Sequence, residues 1–322
     1  MSLPPVFQTL RLPVIAAPLF IISNPNLLIT ECKEGVLGSI PALNARSLDI
    51  LDQWLTRIRN ELEEYNQANP ILPAAPFAIN QIVHRSNDRL MRDVELCVKH
   101  QVPIVITSLG ARPEVNDAIH SYGGITLHDV INNSFAKKAI EKGADGLIAV
   151  AAGAGGHAGQ LSPFSLVQEI REWFDGPLIL SGAIANGKSI LSAQVMGADL
   201  AYIGSPFIAT HEANAEDAYK KMIADCGAED IVYSDYFTGV YGNYLKPSLI
   251  ANGLDPKNLP NSNGVKMNFG EGESEKTKTW KDIWGSGQGI GAIKEVVSAA
   301  KRITMLKTQY EAAKGELGIT LD

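Results

Sequence analysis

The chain has 322 residues, of which 45% are hydrophobic and 20% charged, a composition ordinary for a globular protein with a sizeable core. The net charge is −7 and no block of Lys and Arg occurs, so neither a nucleic acid nor an anionic membrane is expected as a partner. No apolar run approaches the ~20 residues of a membrane span, and the start Met-Ser-Leu-Pro-Pro is unlike a signal peptide. Three scattered cysteines, Cys32, Cys97 and Cys226, indicate buried thiols and no zinc site. We therefore expect a soluble, cytoplasmic protein without a metal.

Short apolar segments alternate with helical patterns along the first 206 residues. The predicted strands are 13–18, 36–40, 76–80, 103–107, 124–128, 145–151, 177–181 and 199–203. The predicted helices between them are 26–34, 47–66, 87–100, 113–121, 133–142, 165–174 and 187–196. Uniformly apolar strands are typical of a parallel sheet that is covered on both faces. Eight such units favour an α/β fold of the TIM (β/α)8 barrel class over an open sheet.

The remaining residues follow the eighth predicted strand. Residues 207–285 carry a predicted helix at 213–226 and then a stretch rich in Tyr, Asn, Gly and Pro. We expect this segment to cover the mouth of the barrel and contribute to a substrate pocket, because tyrosines with polar tips suit such a cover. Residues 1–206 and 286–322 would form the barrel itself, with a last helix predicted at 288–305.

A glycine-rich stretch with one titratable side chain follows the sixth predicted strand. It runs from residue 149 to 159 and contains His157 among glycines at 153, 155, 156 and 159. Glycine allows backbone to approach a ligand closely, so a flat ring could lie against Gly155 and Gly156 with an imidazole beside it. A flexible turn with an incidental histidine is the alternative.

The seventh and eighth predicted strands both end in small residues. Ser181, Gly182 and Ala183 precede a helix that opens at Asn186-Gly187, and Gly204-Ser205 precedes Pro206. Barrels of this class commonly hold phosphate in these two loops, where free N–H groups at a helix start favour an anion. No P-loop lysine is present, so a phosphate would be bound and not transferred. Tight connections without a ligand are the alternative.

Other strand ends carry polar or small residues. Ala17 and Pro18 could lend backbone to a ring, Asn80 could donate and accept hydrogen bonds, and Ser108 ends the fourth strand. His128 ends the fifth strand, but Asp129 follows it, so a structural hydrogen bond is at least as good an explanation as catalysis. We assign no role to the remaining histidines, which are His84, His100, His120 and His211.

Taken together, these motifs resemble the nitronate monooxygenase family, formerly called 2-nitropropane dioxygenases, which are FMN-dependent barrels. The resemblance covers nearly the whole chain. It is carried by AAP at 16–18, AGGHAG at 154–159, LSGAI at 180–184, MGADLAYIGS at 196–205 and WGSGQGIG at 284–291.

The resemblance implies roles for individual residues. His157 would be the catalytic base, and FMN would be bound by Asn80, Gly155, Gly182, Gly204 and Ser205, with Gln288 and Gly289 near the flavin. We place Ala17, Pro18, Ser108, Gly156, Ser181 and Ala183 in the same cofactor site. Many family members carry Gln and Glu shortly before the AGGH block, whereas this chain has Val150 or Ala151 and Gly153 there.

The activity implied is oxidation of alkyl nitronates, with nitroalkanes as further candidates, by O2 to carbonyl compounds and nitrite. A homodimer is one assembly to consider. Two other functions stay open: an FMN-dependent NAD(P)H:quinone reductase or enoyl reductase on the same scaffold, and a non-catalytic barrel that binds a phosphate ligand.

Overall fold

Eight parallel strands form the core of the computed structural model, which describes residues 3–260, 262 and 282–318. The strands are β1 (Val14–Ala16), β2 (Gly38–Pro41), β3 (Phe77–Ile82), β4 (Ile104–Ser108), β5 (Ile125–Val130), β6 (Gly146–Val150), β8 (Leu178–Ser181) and β9 (Leu200–Ile203), while β7 (Gly156–His157) belongs to a smaller sheet. Their spatial order is β1-β9-β8-β6-β5-β4-β3-β2. Ala16 N–H donates to Leu37 O over 2.8 Å, which joins β1 to the residue preceding β2 and closes the ring. The predicted (β/α)8 barrel is confirmed.

Helices alternate with these strands as the spacing of apolar residues predicts. They are α1 (Pro25–Lys33), α2 (Leu48–Ala68), α3 (Leu90–Lys99), α4 (Pro113–His120), α5 (Asn133–Glu141), α6 (Pro163–Arg171), α7 (Gly187–Val195), α8 (Ser205–Ile208), α9 (Asp217–Asp225), α10 (Lys246–Ala251) and α11 (Ala299–Leu317). Several begin where a side chain accepts hydrogen bonds from N–H groups of the first turn, as Asn24, Ser47 and Asn132 do. In the part of the chain that is described, no helix is both long and apolar enough to cross a membrane.

The single helix predicted at 288–305 is wrong. Gln288–Ala292 forms a 3₁₀ turn, and α11 begins only after Ser298, whose side chain accepts from Lys301 N–H. The physical reason is the run of glycines around Gln288. A Cβ atom on Gly289 would lie 2.6 Å from Ala183 O. This stretch therefore packs its backbone closely against the barrel and does not continue as part of the helix.

A second, three-stranded sheet is formed by β10 (Ile231–Ser234), β11 (Gly242–Leu245) and β7 in the order β10-β11-β7. Apolar side chains of residues 207–285, among them Tyr219 and Leu245, share a cluster with Leu27 and Ile290 of the barrel segments. The role of 207–285 as a cover for the substrate pocket stays a prediction, and residues 261 and 263–281 of it lie outside the described residues.

The cysteines only partly match expectation. Cys32 and Cys97 are buried free thiols, whereas Cys226 is half-buried, because it follows α9 near the surface. The expectation that all of them are buried is therefore wrong for Cys226.

The contact between α7 and α11 generates a first prediction. A Cβ atom on the buried Gly187 would lie 2.1 Å from the backbone nitrogen of Tyr310, so Gly187→Ala must push the two helices apart. We expect a loss of about 1–3 kcal/mol or more in the free energy of unfolding, measured by urea denaturation. The matched control is Gly315→Ala in α11, which has open space around it and should gain ~0.5–1 kcal/mol from helix propensity. Equal effects of the two substitutions would contradict this packing.

Candidate active site

Inward-facing side chains line the mouth of the barrel at the C-terminal ends of the strands. Every second residue of each strand points into the barrel, as the interior cluster containing Ala78, Ile106 and Leu127 shows. Asn80, Ser108 and Asp129 each lie two positions after one of these residues. The same alternation therefore directs their side chains inward. Asn80 Nδ2 donates to Ser108 Oγ over 2.8 Å, and Ser108 Oγ donates to Asp129 Oδ2 over 2.5 Å. The structure thus brings the predicted Asn80 and Ser108 together and adds Asp129.

Asp129 is a carboxyl group in an unusual state. Burial raises the pKa of Asp129 to about 7, and the hydrogen bond from Ser108 offsets only part of this rise. Its Oδ1 is shielded from solvent and has no hydrogen-bond partner among the described residues. Tyr202 also points into the barrel, where burial and then the nearby Asp129 charge raise the pKa of its hydroxyl. Sequence reasoning missed Asp129, although the alternation from Leu127 was a signal that could have found it.

His128 faces the opposite way. Its Nδ1 lies 2.6 Å from Thr107 Oγ1, on the outer surface of the barrel, and burial lowers the pKa of His128 to about 4. The expected structural hydrogen bond exists, but its partner is Thr107 and not Asp129. Adjacent residues of a strand point to opposite faces of the sheet, so His128 and Asp129 cannot form the pair that their neighbourhood in sequence suggested.

The glycine-rich loop after β6 is joined to two other loops through one carbonyl group. Gly153 O accepts from Ala183 N–H over 3.2 Å and from Gln288 N–H over 2.9 Å. Gly287 N–H donates in turn to Ser205 Oγ over 3.0 Å. The loops after β6, β8 and β9 therefore meet around the segment 285–289. This contact brings the predicted residues Gly155, Ala183, Ser205 and Gln288 into one neighbourhood.

Close backbone contact explains why small residues stand in these loops. A Cβ atom on Gly155 would lie 2.7 Å from Gly287 N, and one on Gly182, whose φ is +144°, would lie 2.8 Å from Ala152 O. Ala183 follows with a φ of +54°, which is strained for a residue with a Cβ. By contrast, a Cβ on Gly156 would meet nothing within 4 Å. Gly156 thus borders open space, whereas Gly155 and Gly182 serve the packing of the loops.

The expectation of free N–H groups at the start of α7 is wrong. Ser189 Oγ accepts from the N–H groups of Ala185 and Asn186, both over 3.1 Å, and Gln309 Oε1 accepts from Gly187 N–H over 3.0 Å. The Asn186 side chain caps the same turn through Ser189 N–H. A capping box and a side chain from α11 therefore already satisfy these donors. The N–H groups at the start of α7 are therefore not available to an anion. The loop of Gly182 and the Gly204-Ser205 turn remain candidate anion sites.

The first and last strands of the barrel place three more predicted residues side by side. Ala17 N–H donates to Ile203 O over 2.8 Å, and a Cβ on Gly204 would lie 3.6 Å from Ala17 Cβ. Ala17, Pro18 and Gly204 are all half-buried. Ser181, at the end of β8, is more enclosed and pairs with Tyr202 on β9. These residues therefore line one side of the same mouth.

His157 is held by the smaller sheet. The pairing of β7 with β11 sets His157 opposite Gly242 and Gly156 opposite Asn243. Asn243 Nδ2 also donates to Ala154 O over 2.6 Å, which ties β11 to the glycine-rich loop. His157 Nε2 lies 3.0 Å from Thr238 Oγ1, and burial lowers the pKa of His157 to about 4. The imidazole is accordingly neutral at pH 7.

The state of Asp129 generates a second prediction. The folded protein holds this carboxyl protonated up to about pH 7, whereas an ordinary aspartate ionises at about pH 4. A folded-state pKa above the unfolded value means that wild-type stability is lost as the pH rises between the two values. Asp129→Asn removes this titration. We measure the free energy of unfolding of both proteins by urea denaturation at several pH values. The difference between Asp129→Asn and wild type should shift in favour of the variant by roughly 2–4 kcal/mol as the pH rises from 4 to 8.

A matched control for this measurement is Asp117→Asn, an exposed aspartate on α4. Its difference from wild type should not change over the same pH range. An Asp129→Asn difference that is equally flat would contradict a protonated, buried carboxyl.

A family model described as nitronate monooxygenase matches residues 5–308. The probable nitronate monooxygenase of Bacillus subtilis (strain 168) is 24% identical over 264 residues, which cover 72% of this chain and 75% of the Bacillus protein. The nitroalkane oxidase from Streptomyces ansochromogenes superposes with a TM-score of 0.81 at 21% identity, covering 97% of this chain and 99% of that one. FabK from Thermotoga maritima superposes with a TM-score of 0.76 at 20% identity, covering 97% and 96%.

At these identities the structural likenesses establish the fold alone. The family match is different in kind, because it extends from the first turn of the chain into α11 and includes every predicted site residue. The chain therefore belongs to the nitronate monooxygenase family and is a flavin-dependent oxidoreductase.

Proposed function

We propose that the protein binds FMN in the barrel mouth and uses O2 to oxidise alkyl nitronates, and more slowly nitroalkanes, to carbonyl compounds and nitrite. The observation that carries the proposal is the neutral His157, held by β7 and β11 next to the loops that meet at Gly153. Family membership supports the flavin. The preference for nitronates rests on the lowered pKa of His157.

The residues at the mouth fit a flavin. The open space beside Gly156 leaves room for a flat ring, and the Asn80 amide lies within the barrel mouth with an oxygen that can accept from a ring N–H. The turn at Gly182 and the turn at Gly204-Ser205 are short, glycine-containing connections suited to the phosphate of FMN. We further assign Ala17, Pro18, Ser108, Gly155, Ser181, Ala183, Gln288 and Gly289 to this site. When bound, a flavin supplies electron transfer and reaction with O2.

His157 would act differently on the two substrate classes. A nitronate is already deprotonated, so the imidazole only has to orient the anion, and the negative charge would raise the pKa of His157 and strengthen this contact. A nitroalkane must first lose its α-proton to the imidazole. Because burial lowers the pKa of His157 to about 4, this imidazole is a weak base, which favours the nitronate as substrate.

His157→Asn tests the assignment of the base. Removal of a general base costs typically ~10²–10⁴-fold, so turnover of neutral nitroalkanes should fall by about that factor, measured as nitrite release. Turnover of preformed nitronate should fall less, because that substrate needs no proton abstraction. The control is His120→Asn, a surface histidine whose Nε2 lies 2.8 Å from Asp145, and it should leave both rates unchanged. Equal losses with both substrates would reject His157 as the base.

The cofactor and the reaction class are tested on the wild-type protein. The purified protein should be yellow, and the flavin released by denaturation should have the mass of FMN and not of FAD. Under anaerobic conditions the flavin absorbance should bleach on addition of nitronate. Bleaching by NADH or NADPH alone would instead indicate a quinone or enoyl reductase, and a colourless protein would contradict the proposal outright.

A further inference from the structure

Asn80, Ser108 and Asp129 form a chain of hydrogen bonds across three neighbouring strands of the barrel, β3, β4 and β5. Asn80 Nδ2 donates to Ile106 O over 3.1 Å and to Ser108 Oγ over 2.8 Å. Ser108 Oγ lies 2.5 Å from Asp129 Oδ2. Asn80 also pairs with Ile106 in the register of β3 and β4, so the amide is held against the neighbouring strand. Both Asn80 and Ser108 are buried.

The direction of these hydrogen bonds follows from the carbonyl group of Ile106. A carbonyl oxygen only accepts, so the atom of the Asn80 amide beside it must be the nitrogen. The second hydrogen of that nitrogen then points to Ser108 Oγ, and Ser108 uses its single hydrogen on Asp129 Oδ2. Half a turn of the amide would set its oxygen against Ile106 O, and two acceptors would face each other without a hydrogen between them.

Asp129 ends the chain as an acceptor in both of its protonation states. An ionised carboxylate accepts through both oxygens. In the protonated state Oδ2 still receives the hydrogen of Ser108, so the carboxyl hydrogen lies on Oδ1, which has no hydrogen-bond partner among the described residues. The direction of the chain is therefore the same on both sides of neutral pH.

The amide oxygen of Asn80 is the open end of this chain. Both amide hydrogens are used within the barrel wall, whereas Asn80 Oδ1 accepts from no residue that the structure describes and is not shielded from solvent. A group that reaches this oxygen must therefore bring a hydrogen. Hydrogen bonds in series polarise one another, so the links to Ser108 and Asp129 strengthen the oxygen as an acceptor.

We propose that Ser108 and Asp129 are positioning residues, which hold the Asn80 amide with its oxygen toward the mouth and thereby select a ligand with an N–H group at this point. They exert this selection through Asn80. The inference rests on the proposed function, because it takes the ligand to be FMN. The oxidised flavin ring carries a single N–H group, at N3, and meets the requirement.

Selection for an N–H group is measured with two ligands, FMN and FMN methylated at N3. Their dissociation constants are determined by flavin fluorescence on the full-length protein freed of its own flavin. Wild type should prefer FMN by about 5–100-fold, because the methylated ring leaves a buried acceptor without a hydrogen. Asn80→Leu should remove most of this preference.

Variants of the other two residues test the chain itself. Ser108→Ala and Asp129→Leu should each reduce the preference by about 2–5-fold, and the double variant should reduce it no further, because both changes act through one chain. Asp129→Asn keeps an acceptor oxygen for Ser108 and should retain the wild-type preference. A merely structural role would weaken both ligands equally and leave their ratio unchanged. The control is Ser121→Ala, an exposed serine that donates to Ala118 O and should not alter the ratio.

The outcomes separate this proposal from the proposed function. Equal binding of the two ligands by wild type would overturn the proposal, and so would an unchanged ratio in Ser108→Ala and Asp129→Leu. A protein that shows the expected preference but releases no nitrite from nitronates would contradict the proposed activity and leave the role of Ser108 and Asp129 standing. A protein that binds neither ligand would contradict both.

Discussion

The candidate site depends on the carbonyl oxygen of Gly153, which accepts hydrogen bonds from Ala183 and Gln288. These two donors come from the loop after β8 and from a segment just before α11, so one acceptor holds three distant parts of the chain together. The strand β7 follows directly, and its pairing with β11 then sets the position of His157. A larger residue in this contact would separate the loops, because the backbones approach within the space of a Cβ atom at Gly155 and Gly289.

Burial favours the neutral forms of two titratable groups at the mouth of the barrel. It lowers the pKa of His157 to about 4 and raises the pKa of Asp129 to about 7, so the imidazole is neutral at pH 7 and the carboxyl keeps its proton until the pH approaches 7. The two groups lie on different elements, Asp129 at the end of β5 and His157 on β7. An anion that binds beside these two groups would favour their protonated forms.

The large features of the fold were predictable because they depend on local patterns. Apolar segments and helical spacing identify the eight strands of the barrel and the helices α1 to α7 between them, and capping residues such as Ser47 mark where helices begin. The errors occur where a long-range contact overrides the local pattern. Gln288 lies in a segment that packs against Ala183, and the first turn of α7 receives Gln309 from α11. Neither contact is visible from neighbouring residues.

The sequence by itself determined that this chain folds as a (β/α)8 barrel of a flavin-dependent family, and it singled out His157 and the glycines around it. Tertiary structure decided which side chains face the mouth, admitting Asp129 and turning His128 outward, because alternate residues of a strand point to opposite faces. It also decided what contacts the histidine, since Thr238 lies 81 positions away in the chain and reaches Nε2 only through the pairing of β7 with β11. Local sequence patterns specify the strands and helices. Contacts between residues that are distant in the chain specify which side chains meet at the C-terminal ends of the strands.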